Sequence, residues 1–370
     1  MANYSNRLNK KGFVIDVLCL NNGELICQSA IKWNYLALYV LKLSEFRHNN
    51  IITAIISLFF RWLFANIFFS KIVKSYELVD FHSFTSLEYI WLMKKTKSLS
   101  IPYDITLWGS DVLRAPAKTF KRRRNSYLNC REIKGGGTLI STLQCHYGNL
   151  LDDKYRENYF GNSELDIIDG INDTKYSSVR DKLFPQTEGK LLVVCGYNNQ
   201  PAQRHFVMLE AISQLKDEIK ERIHIVLPLT YPLKGDYLND VKNKAESIGV
   251  SYTVLMNYLS EEEVAVLRKS SNITVNIQTT DSFAGSIQSH LYCQNVVLLG
   301  EWLNYPLYDK NNVFYIKTSL DNLSERIADA IDNFATYKLR SLPNKQLIKD
   351  MVSWESRIEG WAESYREIVV

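Results

Sequence analysis

The chain has 370 residues, of which 46% are apolar, 23% charged and 12% aromatic. That composition suits a globular protein with room for two cores and excludes a disordered or collagen-like chain. The net charge of +4 hides an asymmetry, +8 over residues 1–187 against −4 over residues 188–370, so the front half suits an anionic partner such as a membrane surface, a phosphate-bearing substrate or nucleic acid.

The first residues, MANYSNRLNKKGF, are basic, but Asp16, Asn21, Asn22 and Glu24 break the stretch behind them, so no cleavable signal peptide is expected. Residues 51–69, IITAIISLFFRWLFANIFF, form the most apolar run and are just long enough to span a bilayer. Thr53, Ser57 and Arg61 fall on one helical stripe, and a central arginine in a spanning helix costs about 2.5–3.5 kcal/mol. A helix lying on a membrane, with Lys71 and Lys74 at the headgroups, or one buried in a domain, is therefore expected.

A strand-like run at 77–84, a helical pattern through SLEYIWLMKKTKS and a second strand-like run at 103–108 make a βαβ unit, hence a parallel sheet. The segment 118–137 carries seven basic residues against one acidic and ends in three glycines. It reads as a solvated basic loop or helix face, or as a contact for anionic lipid or phosphate, followed by a flexible break. Periodicity fades over 172–190, the expected linker. Strands and helices then alternate at 191–196, 203–220, 222–230, 236–248, 251–256 and 260–270, the pattern of a second doubly wound domain, with a capping box at Ser260 and Glu263. The segment 272–300 follows as strand, small-residue turn, helix and strand. At its turn Ser282, Gly285 and Ser286 put unpaired amides and a helix dipole within reach of an anion. In the tail, Leu347, Met351, Trp354, Ile358, Trp361 and Tyr365 mark one amphipathic helix over 347–368. The domains are expected at 1–187, 188–343 and 344–370.

The six cysteines show no C-x-x-C pair and several sit in apolar strand-like runs, as reduced core residues of a cytoplasmic protein would. Gly196 ends a buried strand before a helix, with Asn198 placed to donate to phosphate or sugar oxygens. The chain has no G-x-x-x-x-G-K-[ST], no G-x-G-x-x-G and no D-x-D, which disfavours P-loop, dinucleotide and metal-diphosphate chemistry. A leaving diphosphate would then be stabilised by helix dipoles and a cation, Arg204 being the candidate, with no metal and no cofactor. A base for an acceptor hydroxyl is sought at Asp111, with His82 second. Asp111 also reads as an ordinary helix cap, and His82 as a hydrogen-bonded strand end.

The turn G-Y-N-N-Q-P-A-Q-R-H (196–205), V-L-P-L-T-Y-P (226–232), Tyr237, N-Y-L-S-E-E-E-V-A-V-L (257–267), D-S-F-A-G-S-I (281–287) and, in the front half, W-G-S-D (108–111) resemble a GT-B glycosyltransferase. The likeness is to the bacterial family typified by the 4-acetamido-4,6-dideoxygalactose transferase of enterobacterial common antigen synthesis. It implies an α/β chain of two Rossmann-like doubly wound domains facing a central cleft, with a tail helix packing back on the first. It implies a nucleotide-sugar donor against Gly196 and Asn198, with His205 just inside the next helix, Leu229, Thr230 and Tyr231 bordering the nucleotide, and Ser282, Gly285 and Ser286 on phosphate or sugar hydroxyls. It further implies a polyprenyl-diphosphate-linked glycan acceptor, a peripheral position on the cytoplasmic face of the membrane, surface polysaccharide synthesis, and no nucleic acid partner. A sugar-nucleotide epimerase and a non-catalytic synthase subunit remain alternatives.

Overall fold

The computed structural model describes residues 2–19, 25–26, 28, 51–85, 87–232 and 236–367. Cys27 lies outside them. The chain divides into two compact units, Met1–Tyr159 with Arg357–Val370, and Phe160–Ser356.

The front unit opens with a helix, Ala2–Asn9, and a short antiparallel pair, β1 (Val17–Leu18) and β2 (Leu25–Ile26). Its main sheet is parallel throughout, in the order β3 (Val79–His82), β4 (Tyr103–Thr106), β5 (Ile133–Gly135), β6 (Tyr155–Glu157). Register sets Asp80 directly beside Asp104, a like-charge pair that would repel unaided. Lys134 on β5 resolves it: wholly buried, its Nζ lies 2.9 Å from Asp80 and 2.6 Å from Asp104. The first and last helices close over this cluster. Tyr365 donates to Asp80 at 2.6 Å, Tyr4 and Tyr365 share a hydroxyl bond, and the buried Trp361 donates to the carbonyl of Tyr159 at 3.0 Å.

The basic segment is a regular helix, Ala117–Asn129, one of the forms expected for it, in which Arg123 is buried, donating to the Asp111 carbonyl and covering the Phe84 ring at 4.5 Å. One expectation for this unit changes. The three glycines are no flexible break: Gly135 ends β5 and Gly137 begins the helix Gly137–Tyr147. A side chain at Gly136 would come within 2.6 Å of the Tyr159 ring, so glycine is needed for the close approach.

The rear unit holds a six-stranded parallel sheet in the order β12-β11-β10-β7-β8-β9, where β7 is Leu191–Cys195, β8 Ile223–Pro228, β9 Tyr252–Leu255, β10 Ile273–Asn276, β11 Val296–Gly300 and β12 Ile316–Thr318. This is the doubly wound pattern, and its strands read as continuous apolar runs because both faces are covered. Alternate residues serve opposite cores. Val193 and Cys195 pack with Met208, Val241 and Ile327 on one face, and Leu192 and Val194 with Val266, Leu291 and Ile348 on the other. The capping box forms as expected, Ser260 Oγ accepting from Glu263 N and Glu263 Oε2 from Ser260 N, an arrangement worth about 1 kcal/mol.

The expected linker at 172–190 is instead largely a helix, Asp173–Leu183, whose N-cap Asn172 accepts the Lys175 amide at 2.9 Å. Leu183 and Phe184 are buried with Leu165 and Ile168 in the second core, so contacts place the division at Tyr159/Phe160 rather than 187/188. On the outer side of this helix Lys175 and Lys182 pair with Glu262 and Glu263. The tail is likewise two helices, Asn344–Val352 and Trp354–Arg366. Ser353 adopts ψ 151 between them, and its Oγ accepts the Ser356 amide at 3.2 Å. The apolar spacing runs through this break unchanged, which is why it reads as one helix.

Candidate functional site

The rear sheet reverses its strand order between β7 and β10, and in open α/β sheets the crevice at the carboxyl ends of such a pair is where ligands bind. Every donor residue expected from the sequence lies on a segment leaving this end: Gly196, Asn198 and Arg204 after β7, Leu229, Thr230 and Tyr231 after β8, and Ser282, Gly285 and Ser286 after β10.

The turn after β7 is tightly determined. Gly196 has φ +69 and donates to Val275 on β10 at 3.1 Å. A Cβ there would meet His205 Nε2 at 2.8 Å and Gln203 Oε1 at 3.0 Å. Asn198 is buried, and its Oδ1 accepts the Gln200 amide at 3.1 Å, shaping the turn. Asn199 ties the turn to the segment after β8, donating from its amide to the Tyr231 carbonyl at 2.6 Å and from Nδ2 to the Pro232 carbonyl at 2.8 Å. Thr279 donates to the Ala202 carbonyl at 2.9 Å, so the segments after β7 and β10 are joined directly.

Arg204 caps the helix His205–Ser213 at φ +61, and its guanidinium covers the Trp302 ring at 4.8 Å. Trp302 in turn donates to the Gln278 carbonyl at 2.8 Å. A cation is thereby held at the crevice by a flat aromatic face, with no partner carboxylate among the described residues. His205 is wholly buried, its Nδ1 3.0 Å from the Tyr237 hydroxyl, and burial pushes its pKa down to about 4. It is a neutral imidazole at physiological pH.

The β10 segment presents the helix Gly285–Tyr292. Asp281 shapes its approach: Oδ2 accepts the Ala284 amide at 2.9 Å and the Tyr305 hydroxyl at 2.6 Å, while burial raises its pKa. Phe283 is held at φ +126 between them, a conformation that costs about 1–3 kcal/mol and persists only when its surroundings impose it. Gly285 is exposed, and a Cβ there would find its nearest neighbour, Asn162 Nδ2, at 3.7 Å. Ser282 and Ser286 are half-buried.

Leu229 is buried completely and serves the core, whereas Thr230 is half-buried and Tyr231 is 48% exposed. Of the three residues expected to border a nucleotide, Tyr231 offers the open ring.

Buried polar atoms without a partner concentrate here. Among the described residues they include His205 Nε2, Asn276 Nδ2, Gln278 Nε2, Asn199 Oδ1 and Ser286 Oγ. Orphaned groups of this kind cost about 1–3 kcal/mol each, and those at the ends of β7 and β10 call for polar partners beyond the described residues. Asn276 and Gln278 were not singled out from the sequence, though polar residues closing a buried strand, N-I-Q after I-T-V, carry that signal. Gln203 was missed too: it donates to Gln278 Oε1 at 3.0 Å, which Tyr197 also reaches at 2.8 Å.

In the front unit, Asp111 and His82 meet through one residue. Trp108 donates its amide to Asp111 Oδ1 at 3.0 Å and its indole N–H to His82 Nδ1 at 3.2 Å. Asp111 Oδ2 accepts the Phe84 amide at 3.1 Å, and the residue is 1% exposed. Each oxygen thus accepts a backbone amide, so Asp111 ties together the loops after β3 and β4, and burial raises its pKa. It is not a helix cap, since it lies in a turn. His82 keeps its proton on Nε2, 3.8 Å from Asp80, when Nδ1 accepts from Trp108, so its basic nitrogen is already engaged. Burial lowers its pKa.

No protein-family model matches the chain, and no curated protein does. Solved structures of similar fold include a glycosyltransferase from Rickettsia africae ESF-5, 16% identical with a TM-score of 0.68 over 87% of this chain and 83% of that one. HepE of Anabaena in complex with UDP and glucose is 12% identical with a TM-score of 0.65, covering 81% of each chain. A UDP-forming α,α-trehalose-phosphate synthase from Burkholderia xenovorans is 10% identical with a TM-score of 0.62 over 85% of this chain and 78% of that one. The α/β architecture with two parallel sheets is the GT-B fold.

Proposed function

We propose that the chain is a metal-independent glycosyltransferase that takes a sugar from a nucleoside diphosphate sugar bound at the rear unit's β7/β10 crevice. The observation carrying this reading is the convergence there of two helix N-termini and, among the described residues, a cation without a carboxylate and a cluster of unpartnered buried polar atoms. Helix dipoles and Arg204 would stabilise the diphosphate as it leaves, with the neutral His205 packed beneath the turn. The complexes of HepE with UDP, with UDP and glucose, and with UDP-glucose support a sugar nucleotide as donor.

The acceptor in this reading is a glycan carried on a polyprenyl diphosphate, and the enzyme works peripherally at the cytoplasmic face of the membrane in surface polysaccharide assembly. The basic front half and its apolar helix support that placement.

Calorimetric titration with UDP, dTDP, GDP and CMP tests the donor site. One of them binds the wild-type protein, and Gly285→Trp abolishes that binding by filling the open space before the helix. Absence of binding by all four refutes the reading.

A further inference from the structure

We infer that the front unit carries a docking surface for an anionic lipid bilayer, made by the outer face of the helical run Ile51–Ser75 and the basic face of the helix Ala117–Asn129. The inference rests on the reading of a lipid-linked acceptor for its purpose; its chemistry stands on these two helices alone.

The run Ile51–Ser75 has two unlike sides. Inward, Phe64, Ala65, Phe69 and Val73 are buried in the front core. Outward, Ile55, Ile56, Phe59, Trp62 and Ile67 are between 41% and 60% exposed, and the Phe59 and Trp62 rings stack at 6.4 Å. A π-helical turn, Phe64–Phe68, keeps Ile67 with Trp62 on the outer side although five residues separate them. Large exposed aromatic and aliphatic side chains grouped in this way mark an interaction surface.

The run is apolar and long enough to cross a membrane by length and composition, over Ile55–Ser75. It is nevertheless tied to the unit, because Arg61 pairs with Glu88 of the helix Leu87–Ser98 at 2.5 Å and the inner side is core. A helix anchored along one flank cannot cross a bilayer while staying packed on its unit, whereas its exposed face can enter the acyl boundary.

Charge identifies the occupant. No carboxylate occurs between Ile51 and Tyr76, nor within Ala117–Asn129. Lys71 and Lys74 at the end of the run, and Lys118, Lys121, Arg122 and Arg124 on the second helix, are exposed and pair with no carboxylate among the described residues. The helix Leu87–Ser98 packs against both. An isologous contact with a second copy would bring like charges together, whereas an anionic bilayer satisfies the apolar side chains and the basic ones at once.

Cosedimentation of the full chain with vesicles of phosphatidylcholine, with and without phosphatidylglycerol, tests this. Wild-type protein binds the anionic vesicles about tenfold or more above the neutral ones. Phe59→Ser with Trp62→Ser loses binding, and Lys118→Glu, Lys121→Glu, Arg122→Glu and Arg124→Glu together lose the anionic preference. Every variant keeps the wild-type circular dichroism and nucleotide titration, so lost vesicle binding reports the surface. Equal binding by wild type and variants, no binding by wild type, or a solution dimer that the Phe59/Trp62 change dissociates would each overturn the inference. Vesicle binding without nucleotide binding would leave this surface standing and remove the donor site instead.

Discussion

A side chain at Gly196 would place its Cβ 2.8 Å from Nε2 of His205, so the glycine and the imidazole share one space at the end of β7. The backbone at φ +69 independently favours glycine. Gly196→Ala therefore costs about 1–3 kcal/mol of stability and weakens nucleotide binding through the displaced turn. Gly285→Ala, with 3.7 Å to its nearest neighbour, leaves both nearly unchanged. Urea melts and calorimetric titration of the two alanine variants check the contrast.

Histidine burial makes stability depend on pH in a defined direction. The pKa values of His205 and His224 are both pushed down to about 4 by burial, against about 6.5 for an unfolded histidine. The unfolded chain then binds more protons between these values, so stability is full above pH 6.5 and falls as pH drops toward 4. His205→Gln removes one such group and flattens the slope of unfolding free energy with pH by up to about 1.4 kcal/mol per unit in that window. Urea melts across pH 4.5–7 measure it.

Lys134 is the keystone of the front unit. Its removal leaves Asp80 and Asp104 side by side and buried without their cation, a change of about 3–5 kcal/mol. Lys134→Met lowers the melting temperature, and Asp80→Asn with Asp104→Asn added to it restores part of the loss. In the wild type, burial pushes the Asp80 carboxyl up but Lys134 and His82 outweigh it and hold it well below the usual range. This contribution is complete above about pH 4 and lost as pH falls further.

Thiol titration separates the cysteines. Cys19 and Cys145 are exposed, whereas Cys130 and Cys195 are buried with pKa values raised by burial, Cys195 to about 12. Cys19 and Cys145 react with Ellman's reagent at pH 8, and the buried pair only in denaturant.

EDTA leaves nucleotide binding and sugar transfer intact if helix termini and Arg204 neutralise the diphosphate. Dependence on Mg²⁺ or Mn²⁺ would transfer that role to a metal.

Strand and helix order in the rear unit was legible because each element announces itself locally. Runs such as L-L-V-V-C-G carry their own burial signal, and Ser260 with Glu263 closes a cap within four residues. That the candidate segments gather at one end of the sheet was legible for the same reason: glycine, serine and asparagine follow strands whose carboxyl ends a parallel sheet gathers on one side. What those side chains do was decided by contacts far apart in the chain. Asp111 holds the amides of Trp108 and Phe84, Arg204 rests on Trp302, and Gln203 meets Gln278. The helix at 173–183 escaped local reading because its apolar periodicity is weak, and the break at Ser353 because the apolar spacing runs through it unchanged. Periodicity is a property of neighbours along the chain, whereas partnership and burial belong to neighbours in space. The sequence by itself thus determined the parallel α/β architecture and the sheet end on which the candidate segments lie, and the tertiary structure alone decided which of their polar groups find partners there.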